Sequence, residues 1–207
     1  LVGSEMCIRD RNIAFMEEWG RFAEEANIDI YEVLDAIRMR PTHSNIRQPG
    51  FGVGGYCLTK DPLFAKIAAK DILNLQGHEF PFSSQSVEIN SKMPKITFEK
   101  IKKYFNNDIA GKNFLLMGAT YRQGVGDTRH SPSEIFARSV IDQGANLVVC
   151  DPMIEFWDEL NLKIEENILN PSLFDVIIFA VPHNEFMSID FSKSVSYTHL
   201  TLPTTTI

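Results

Sequence analysis

The chain has 207 residues, of which 44% are hydrophobic and 23% are charged, and its 20 basic and 27 acidic side chains give a net charge of −7. Because nucleic-acid binding depends on clustered basic side chains that neutralise phosphates, this balance disfavours a nucleic-acid partner. The longest apolar run, residues 176–181, is far shorter than the roughly 20 residues of a membrane helix. Three widely spaced cysteines offer neither a disulfide framework nor a paired metal motif. We therefore expect a globular cytoplasmic protein of mixed secondary structure, without a membrane segment.

The two terminal segments, residues 1–11 and 195–207, are interpreted as translated adapter DNA. Residues 6–10 (MCIRD) can be encoded by ATG TGT ATA AGA GAC, and the reverse complement of that string encodes VSYTH, residues 195–199. Two unrelated protein ends are rarely opposite strands of one DNA element, and the string resembles the mosaic-end adapter of transposase-based sequencing libraries. We expect neither segment to belong to the fold. The alternative is a natural tail of low complexity.

Residues 12–106 predict a helical domain without a convincing strand. In its first helix an apolar stripe faces acidic residues, and Asp29 with Glu32 three residues later forms a capping box for the second. The glycine- and proline-rich residues 41–56 predict a loop. The expected helices cover residues 13–27, 30–39, 61–73 and 83–105, the last bent near Pro94.

Residues 107–194 predict part of a parallel α/β domain. Apolar runs bounded by glycine or by Asp-Pro are typical of buried parallel strands. A helix over residues 133–143, ended by Gly144, separates the first two of them. The expected strands cover residues 113–118, 146–150 and 175–181. This order predicts the α/β class with a parallel sheet, and the boundary between the two domains is expected near residues 106–111.

The loop of residues 50–55, GFGVGG, matches the GxGxxG pattern of dinucleotide-binding proteins. That pattern needs a buried strand before it and a helix after it. Because no strand is expected before it, we do not interpret it as an NAD fingerprint. Cys57 follows directly, near the start of an expected helix and close to Lys60, where positive charge favours a thiolate. The alternative is a small buried hydrophobe, which is the usual role of a free cysteine and the role expected for Cys150.

A second polar loop, residues 118–129, follows the first expected strand, at the edge where parallel α/β sheets bind ligands. Its backbone N–H groups and its two arginines, Arg122 and Arg129, could hold a phosphate. The alternative is a polar loop with no ligand. The histidines share no metal-ligand spacing, so no metal is expected.

The segment PGFGVGGYCLTKDP, residues 49–62, resembles the catalytic-cysteine loop of the UDP-glucose/GDP-mannose dehydrogenase family, the nucleotide-sugar 6-dehydrogenases, which has the form GxGxGGxCxxxD. Residues 12–33 are similar to the central helix of the family and its continuation. Residues 118–132, GATYRQGVGDTRHSP, are similar to the opening of its UDP-binding domain, and residues 175–186 to a later strand of that domain. The resemblance covers nearly all of residues 12–194.

The resemblance implies an all-helical central dimerisation domain followed by a truncated Rossmann-like parallel-sheet UDP-binding domain, in a homodimer that serves polysaccharide biosynthesis. Such enzymes oxidise the C6 alcohol of a UDP-sugar to a uronate in two NAD-dependent hydride transfers, and their cysteine carries a thiohemiacetal and then a thioester. The catalytic residues implied are Cys57, Asp61 and Lys60. The substrate-binding residues implied are Gly52, Gly54, Gly55, Tyr121 and Arg122, and Arg129 would approach the NAD cofactor.

Parts of the family's sequence have no counterpart here. These are its N-terminal NAD-binding domain, the last part of its UDP-binding domain, and a lysine and asparagine motif whose place residues 1–11 occupy. We therefore expect an internal fragment of the enzyme that is inactive alone. Two alternatives stay open. One is a non-catalytic sugar-nucleotide-binding and dimerisation module, and the other is a two-electron hydroxyacid dehydrogenase with a similar helical domain that needs no cysteine.

Overall fold

The computed structural model describes residues 2–75, 77–165 and 170–189, so the terminal segment 195–207 lies outside the described residues. Over the described residues the first part of the chain is helical and the second part contains a parallel sheet. The α-helices are α1 (Val2–Glu25), α2 (Ile30–Arg38), α3 (Phe64–Ile67), α4 (Pro81–Tyr104) and α5 (Pro132–Asp142). None of the described helices is both long enough and apolar enough to cross a membrane.

Helices α1, α2 and α4 form the helical part. Met16 and Ala23 of α1 are buried and pack against Ile30 and Leu34 of α2. The predicted N-cap of α2 is confirmed, because the side chain of Asp29 accepts a hydrogen bond from the second helical N–H at 2.8 Å. Such a cap satisfies a backbone donor that has no partner within the helix.

Two of the helical predictions are wrong in their bounds or regularity. The first helix begins at Val2 rather than near residue 13, because each residue added to a formed helix gains one backbone hydrogen bond. The segment after Cys57 is not one regular helix. It is a 3-10 turn (Asp61–Leu63), then α3, then a π-turn (Ala68–Ile72).

The predicted parallel sheet is confirmed. Its strands are β1 (Asn113–Met117), β2 (Asn146–Cys150) and β5 (Val176–Phe179), in the order β2-β1-β5, with β1 parallel to both neighbours. The remaining described strands, β3 (Phe156–Trp157) and β4 (Leu162–Lys163), form a two-residue antiparallel pair that was not predicted. Two residues are too short for a strand pattern in the sequence.

One apolar core crosses the expected domain boundary. Phe136 of α5 is fully buried, and its ring centroid lies 5.5 Å from that of Phe51, 6.1 Å from Phe98 of α4 and 6.5 Å from Phe114 of β1. Aromatic pairs at such distances add to the stabilisation that burial gives. Phe136 therefore packs the glycine-rich loop and the helical part against the sheet.

Candidate functional site

A crevice opens at the carboxyl ends of β1 and β5. The chain leaves the middle strand β1 through α5 to β2 on one side, and it later returns to β5 on the other side. Open α/β sheets bind ligands at such switch points, because the two connections diverge there. The crevice is open to solvent and small, with a cavity volume of about 20 Å³. It is lined by residues 51–52, 120–123, 132–133 and 180–182.

The glycine-rich loop lies directly against the loop that follows β1. A Cβ atom at Gly54 would lie 2.6 Å from Cβ of Tyr121 and 2.8 Å from the carbonyl oxygen of His130. A Cβ at Gly55, where φ is +83°, would lie 3.0 Å from the Tyr121 ring, and Gly52 lines the crevice. The three glycines thus allow a close contact between the two loops, which any side chain would prevent.

Cys57 lies in the turn that follows this glycine-rich loop, and its side chain is exposed. The carbonyl oxygen of Cys57 accepts hydrogen bonds from the N–H groups of Lys60 at 3.2 Å and of Asp61 at 2.8 Å. The Lys60 ammonium lies 2.6 Å from the Asp61 carboxylate and over the ring of Tyr56, 4.4 Å from its centroid. The alternative of a buried Cys57 is therefore wrong, and the thiol is accessible close to a fixed positive charge.

The Lys60 side chain is held on three sides. Besides Asp61 and Tyr56 it contacts Phe64, whose ring centroid lies 4.6 Å from Nζ. The hydrogen bond to Asp61 raises the pKa of Lys60, so the ammonium stays charged at neutral pH. A cation between two aromatic faces and a carboxylate has few alternative positions. Cys150, in contrast, is buried, and burial raises its pKa to about 11, so it is not a thiolate at neutral pH.

The two predicted arginines differ in their partners. Arg129 donates to both carboxylate oxygens of Asp127 in three contacts, of which the shortest, from Nη2, is 2.7 Å. This hydrogen bonding raises the pKa of Arg129, and the phenol groups of Tyr121 and Tyr56 lie close enough to add to the effect. Arg122 is exposed at the mouth of the crevice, and over the described residues its guanidinium has no hydrogen bond or ion pair. Arg122 is therefore free to bind an anion.

A buried polar cluster that was not predicted lies at the same sheet edge. It consists of Thr120 after β1, Asp151 after β2 and His183 after β5, all at most 1% exposed. Asp151 accepts hydrogen bonds from the N–H groups of Ala119 and Thr120 and from the Thr120 hydroxyl, each between 2.8 and 3.0 Å. The signal for this cluster in the sequence is a polar residue one to four positions after each strand.

The charge of Asp151 is stabilised in the folded protein. Burial by itself raises the pKa of this carboxyl. The nearby His183, with Nε2 at 3.3 Å, and the N–H groups of Thr120 and Met153 more than compensate, so the pKa of Asp151 is lowered. A buried carboxylate with this many donors is expected to stay ionised.

The described residues do not form a metal cluster or an NAD fingerprint. No group of three or more His, Cys, Asp or Glu residues among them could hold a metal ion. Residues 50–55 follow an irregular segment and lead into turns, so no strand precedes them and no helix points its first turn at a pyrophosphate. The residues present here do not fit a complete NAD site.

The sequence matches two family profiles that together cover most of its length. Residues 4–92 match the UDP-glucose/GDP-mannose dehydrogenase family, central domain, and residues 115–203 match the UDP binding domain of the same family. Both ranges include parts of the terminal segments 1–11 and 195–207, whose assignment to adapter DNA stays a prediction.

Curated relatives agree with these matches. The UDP-N-acetyl-D-mannosamine dehydrogenase of Methanocaldococcus jannaschii is 33% identical over 187 residues, which are 90% of this chain and 40% of that protein. The enzyme of the same name from Campylobacter jejuni is 30% identical over 203 residues, or 94% of this chain and 47% of that protein. A solved UDP-D-ManNAc dehydrogenase structure from Pyrococcus horikoshii has a TM-score of 0.73 at 26% identity, covering 94% of this chain and 45% of that one. The chain thus spans less than half the length of these relatives.

Replacing Asp151 by Asn should destabilise the fold in a pH-dependent way. Hydrogen bonds to a charged group contribute about 1.5–3 kcal/mol each, so we expect Asp151→Asn to lower the free energy of unfolding by about 2–3 kcal/mol at pH 7. Because the folded-state pKa is depressed, this contribution is present above the unfolded pKa and is lost as pH falls through the lower folded pKa.

Urea unfolding at pH 7 and at pH 3 measures this effect. The difference between wild type and Asp151→Asn should shrink at the lower pH. Asp142→Asn, at the exposed end of α5, is the control and should show little difference at either pH. An equal Asp151→Asn difference at both pH values would show that the carboxylate charge does not stabilise the fold.

Proposed function

Because the chain belongs to the UDP-glucose/GDP-mannose dehydrogenase family, we propose that it is part of an NAD-dependent nucleotide-sugar 6-dehydrogenase that oxidises the C6 alcohol of a UDP-sugar to a uronate. The main support is the contact between the glycine-rich loop before Cys57 and the Tyr121 loop at the crevice. Because Cys57 follows this loop and is exposed, the contact supports a thiol that serves a nucleotide-linked substrate at this edge of the sheet.

The crevice is proposed to bind the nucleotide part of the substrate. Its position at the switch point of a parallel sheet is typical of nucleotide sites, and a profile of the UDP binding domain matches this part of the chain. Arg122, whose guanidinium has no partner among the described residues, would bind the diphosphate. Tyr121 and Gly52 would contact the ligand from the two loops, with Gly54 and Gly55 keeping these loops close.

Cys57 is proposed as the nucleophile. After the first oxidation its sulfur would add to the C6 aldehyde carbon, and the aldehyde oxygen would take up a proton, giving a thiohemiacetal. The Lys60 ammonium supplies positive charge where this oxygen is negative before protonation. After the second oxidation, water cleaves the thioester, which releases the uronate and restores the thiol, and Asp61 is the residue proposed to orient that water.

NAD is the hydride acceptor that the proposed reaction requires in both oxidations. Since residues 50–55 do not form a dinucleotide fingerprint, we propose that NAD is bound mainly outside this chain. Arg129 is the residue of this chain proposed to approach it. Its guanidinium is held by Asp127 on the same side as Tyr56, the neighbour of Cys57.

The substrate is proposed to be a UDP-hexose or a UDP-N-acetylhexosamine, and the names of the two curated relatives favour UDP-N-acetylmannosamine. The whole protein is also proposed to be cytoplasmic, and its product to serve polysaccharide synthesis. Calorimetric titration of the chain with UDP-N-acetylmannosamine and with UDP-glucose compares the binding affinities for the two sugar classes. A non-catalytic binding module would bind the sugar nucleotide, but the full-length protein would not oxidise it.

Replacing Cys57 by Ser should abolish uronate formation by the full-length protein. The serine hydroxyl is a far weaker nucleophile at neutral pH, so we expect a loss on the order of 10³-fold or more, with UDP-sugar binding unchanged. The measurement is UDP-sugar-dependent NADH formation together with uronate analysis. Cys150→Ala removes the other described thiol and should retain activity. Uronate formation at the wild-type rate by Cys57→Ser would refute the cysteine intermediate. NADH formation that is unchanged in Cys57→Ser, with no uronate from either protein, would instead favour a two-electron hydroxyacid dehydrogenase that needs no cysteine.

A homodimer through α1 is proposed from an exposed aromatic stripe. Phe15, Trp19 and Phe22 lie on one face of the helix and are 53%, 49% and 61% exposed. Their rings contact one another, with both centroid distances at 6.1 Å. A row of large exposed aromatic side chains on one helix is typical of a protein–protein interface.

Replacing Trp19 by Glu should convert the dimer into a monomer, because a charge would be buried at the centre of the interface. Light scattering after size-exclusion chromatography gives the mass directly, and the 23.5 kDa chain should change from about twice that mass to a single copy. Tyr104→Glu, which changes a 71% exposed aromatic residue on α4, should leave the mass unchanged. A monomeric wild type would refute the dimer.

The adapter assignment of residues 1–11 and 195–207 is also kept as a proposal. Asp10 is fully buried and contacts Asn90, yet Oδ2 of Asp10 and Oδ1 of Asn90 have no hydrogen-bond partner among the described residues. Burial raises the pKa of Asp10 to about 7. A buried carboxyl without an ion-pair partner is costly, which supports a residue that does not belong at this position.

A long sequencing read of the source DNA across both ends of the gene tests this assignment. We expect the codons of residues 1–11 and 195–207 to be absent from the genome. In their place the reading frame should continue upstream into a strand–GxGxxG–helix unit and downstream into further α/β units. Genomic codons for both terminal segments would refute the adapter assignment and would favour the binding-module alternative.

A further inference from the structure

The buried cluster of Thr120, Asp151 and His183 has no role in the proposed chemistry, although it lies at the same edge of the sheet. Each of its side chains follows a different strand, and none is more than 1% exposed. Buried polar groups are costly unless they are hydrogen-bonded. The burial of these side chains is compensated by their hydrogen bonds, and the hydrogen-bond partners show which segments the cluster holds in place.

His183 connects the segment after β5 to the loop after β1 through both of its ring nitrogens. Nδ1 accepts a hydrogen bond from the N–H of Gly124 at 3.4 Å, and Nε2 lies 3.0 Å from the Thr120 hydroxyl. An accepting Nδ1 carries no proton, so the hydrogen-bond pattern assigns the proton to Nε2. Nε2–H can then donate to Thr120, whose hydroxyl donates to Asp151 at 3.0 Å.

A second contact joins the same two segments. The side-chain amide of Gln123 donates to Oδ1 of Asn184 at 2.9 Å. The two segments also meet closely below the crevice, where a Cβ at Gly118 would lie 2.5 Å from Cβ of Val181. The loop after β1 and the segment after β5, which line opposite sides of the crevice, are therefore joined by side-chain contacts.

Two residues that His183 contacts, Thr120 and Gly124, flank Tyr121 and Arg122 in the sequence. Thr120 precedes this pair and Gly124 follows it two residues later, so the backbone that carries both is fixed at its two ends. Loops that bind ligands are productive when their geometry is set before the ligand arrives, because less ordering entropy is then lost on binding.

We propose that His183 is a positioning residue for the crevice, which holds the loop after β1 so that Tyr121 and Arg122 face the nucleotide. This inference rests on the proposed function, since it assumes that a UDP group binds in the crevice. The Gly124 N–H bond to Nδ1 is the decisive contact, because it fixes the far end of the loop. The Nε2 side joins His183 to Thr120 and Asp151, which the sheet already holds.

Two isosteric variants separate the contacts of the ring nitrogens. His183→Asn places an amide oxygen near the position of Nδ1, so it keeps the acceptor for Gly124 and loses the donor to Thr120. His183→Gln places an amide nitrogen near the position of Nε2, so it keeps that donor and loses the acceptor. Calorimetric titration of UDP into the chain, at a pH of about 7.5, gives the binding affinity, and thermal unfolding gives the stability of each variant.

We expect His183→Gln to weaken UDP binding by at least tenfold and His183→Asn to weaken it by less than threefold. Amide hydrogen exchange at Gly124 in the absence of ligand should be faster in His183→Gln than in His183→Asn. His43→Gln, which changes an exposed histidine outside the crevice, is the control and should match the wild type in both measurements.

Equal affinities in the two His183 variants, whether both unchanged or both weakened in proportion to a loss of stability, would overturn the positioning role and leave the proposed function standing. Failure of the wild-type chain to bind UDP would refute the proposed function, and with it the ligand role of His183. The two failures are therefore distinguishable.

Discussion

The candidate site depends on the close approach of two loops that come from distant parts of the sequence. Gly54 can lie against Tyr121 and the carbonyl of His130 only because it has no side chain. The aromatic contacts of Phe136 hold the same two regions together from beneath, since Phe136 touches Phe51 of the first loop as well as the sheet. Without this approach the accessible thiol of Cys57 and the crevice at the end of β1 would be separate features. With it they are neighbouring parts of one surface, which is the arrangement that the proposed UDP-sugar site requires.

Fixed charges around this surface are arranged by local hydrogen bonds rather than by burial. Lys60 is held by Asp61 and by the Tyr56 ring, and Arg129 is held by Asp127. Arg122 has no such partner among the described residues and stays available at the mouth of the crevice. Exposed ion pairs add little to stability, so these pairs are better explained by orientation of charge than by folding. The strongly stabilised carboxylate, Asp151, is the buried one, and it supports the crevice from below.

Much of the fold follows from sequence patterns, and the exceptions have physical reasons. The three parallel strands were predictable because each is a short apolar run flanked by glycine, aspartate or proline, which is typical of buried strands, and β2 was predicted with its observed bounds. The β3–β4 pair was not predictable, since two residues cannot show a period. The residues of the two loops were found by motif and by family resemblance, but their mutual contact is a tertiary property of Gly54 and Tyr121. The position of His183 after a predicted strand places it at the same sheet edge as Thr120 and Asp151, but its hydrogen bond to Gly124 is a tertiary contact that the linear sequence does not show.

Hydrogen–deuterium exchange of the chain, with and without UDP-N-acetylmannosamine, shows whether the two loops form one UDP-sugar site. If they form one site, the ligand should slow exchange in two separate groups of peptides. One covers residues 50–60, and the other covers residues 119–124 and 180–184, which line and tie the crevice. Protection of the crevice peptides alone would contradict a single joint site and would leave Cys57 outside it. Protection elsewhere in the chain would contradict the location of the site altogether.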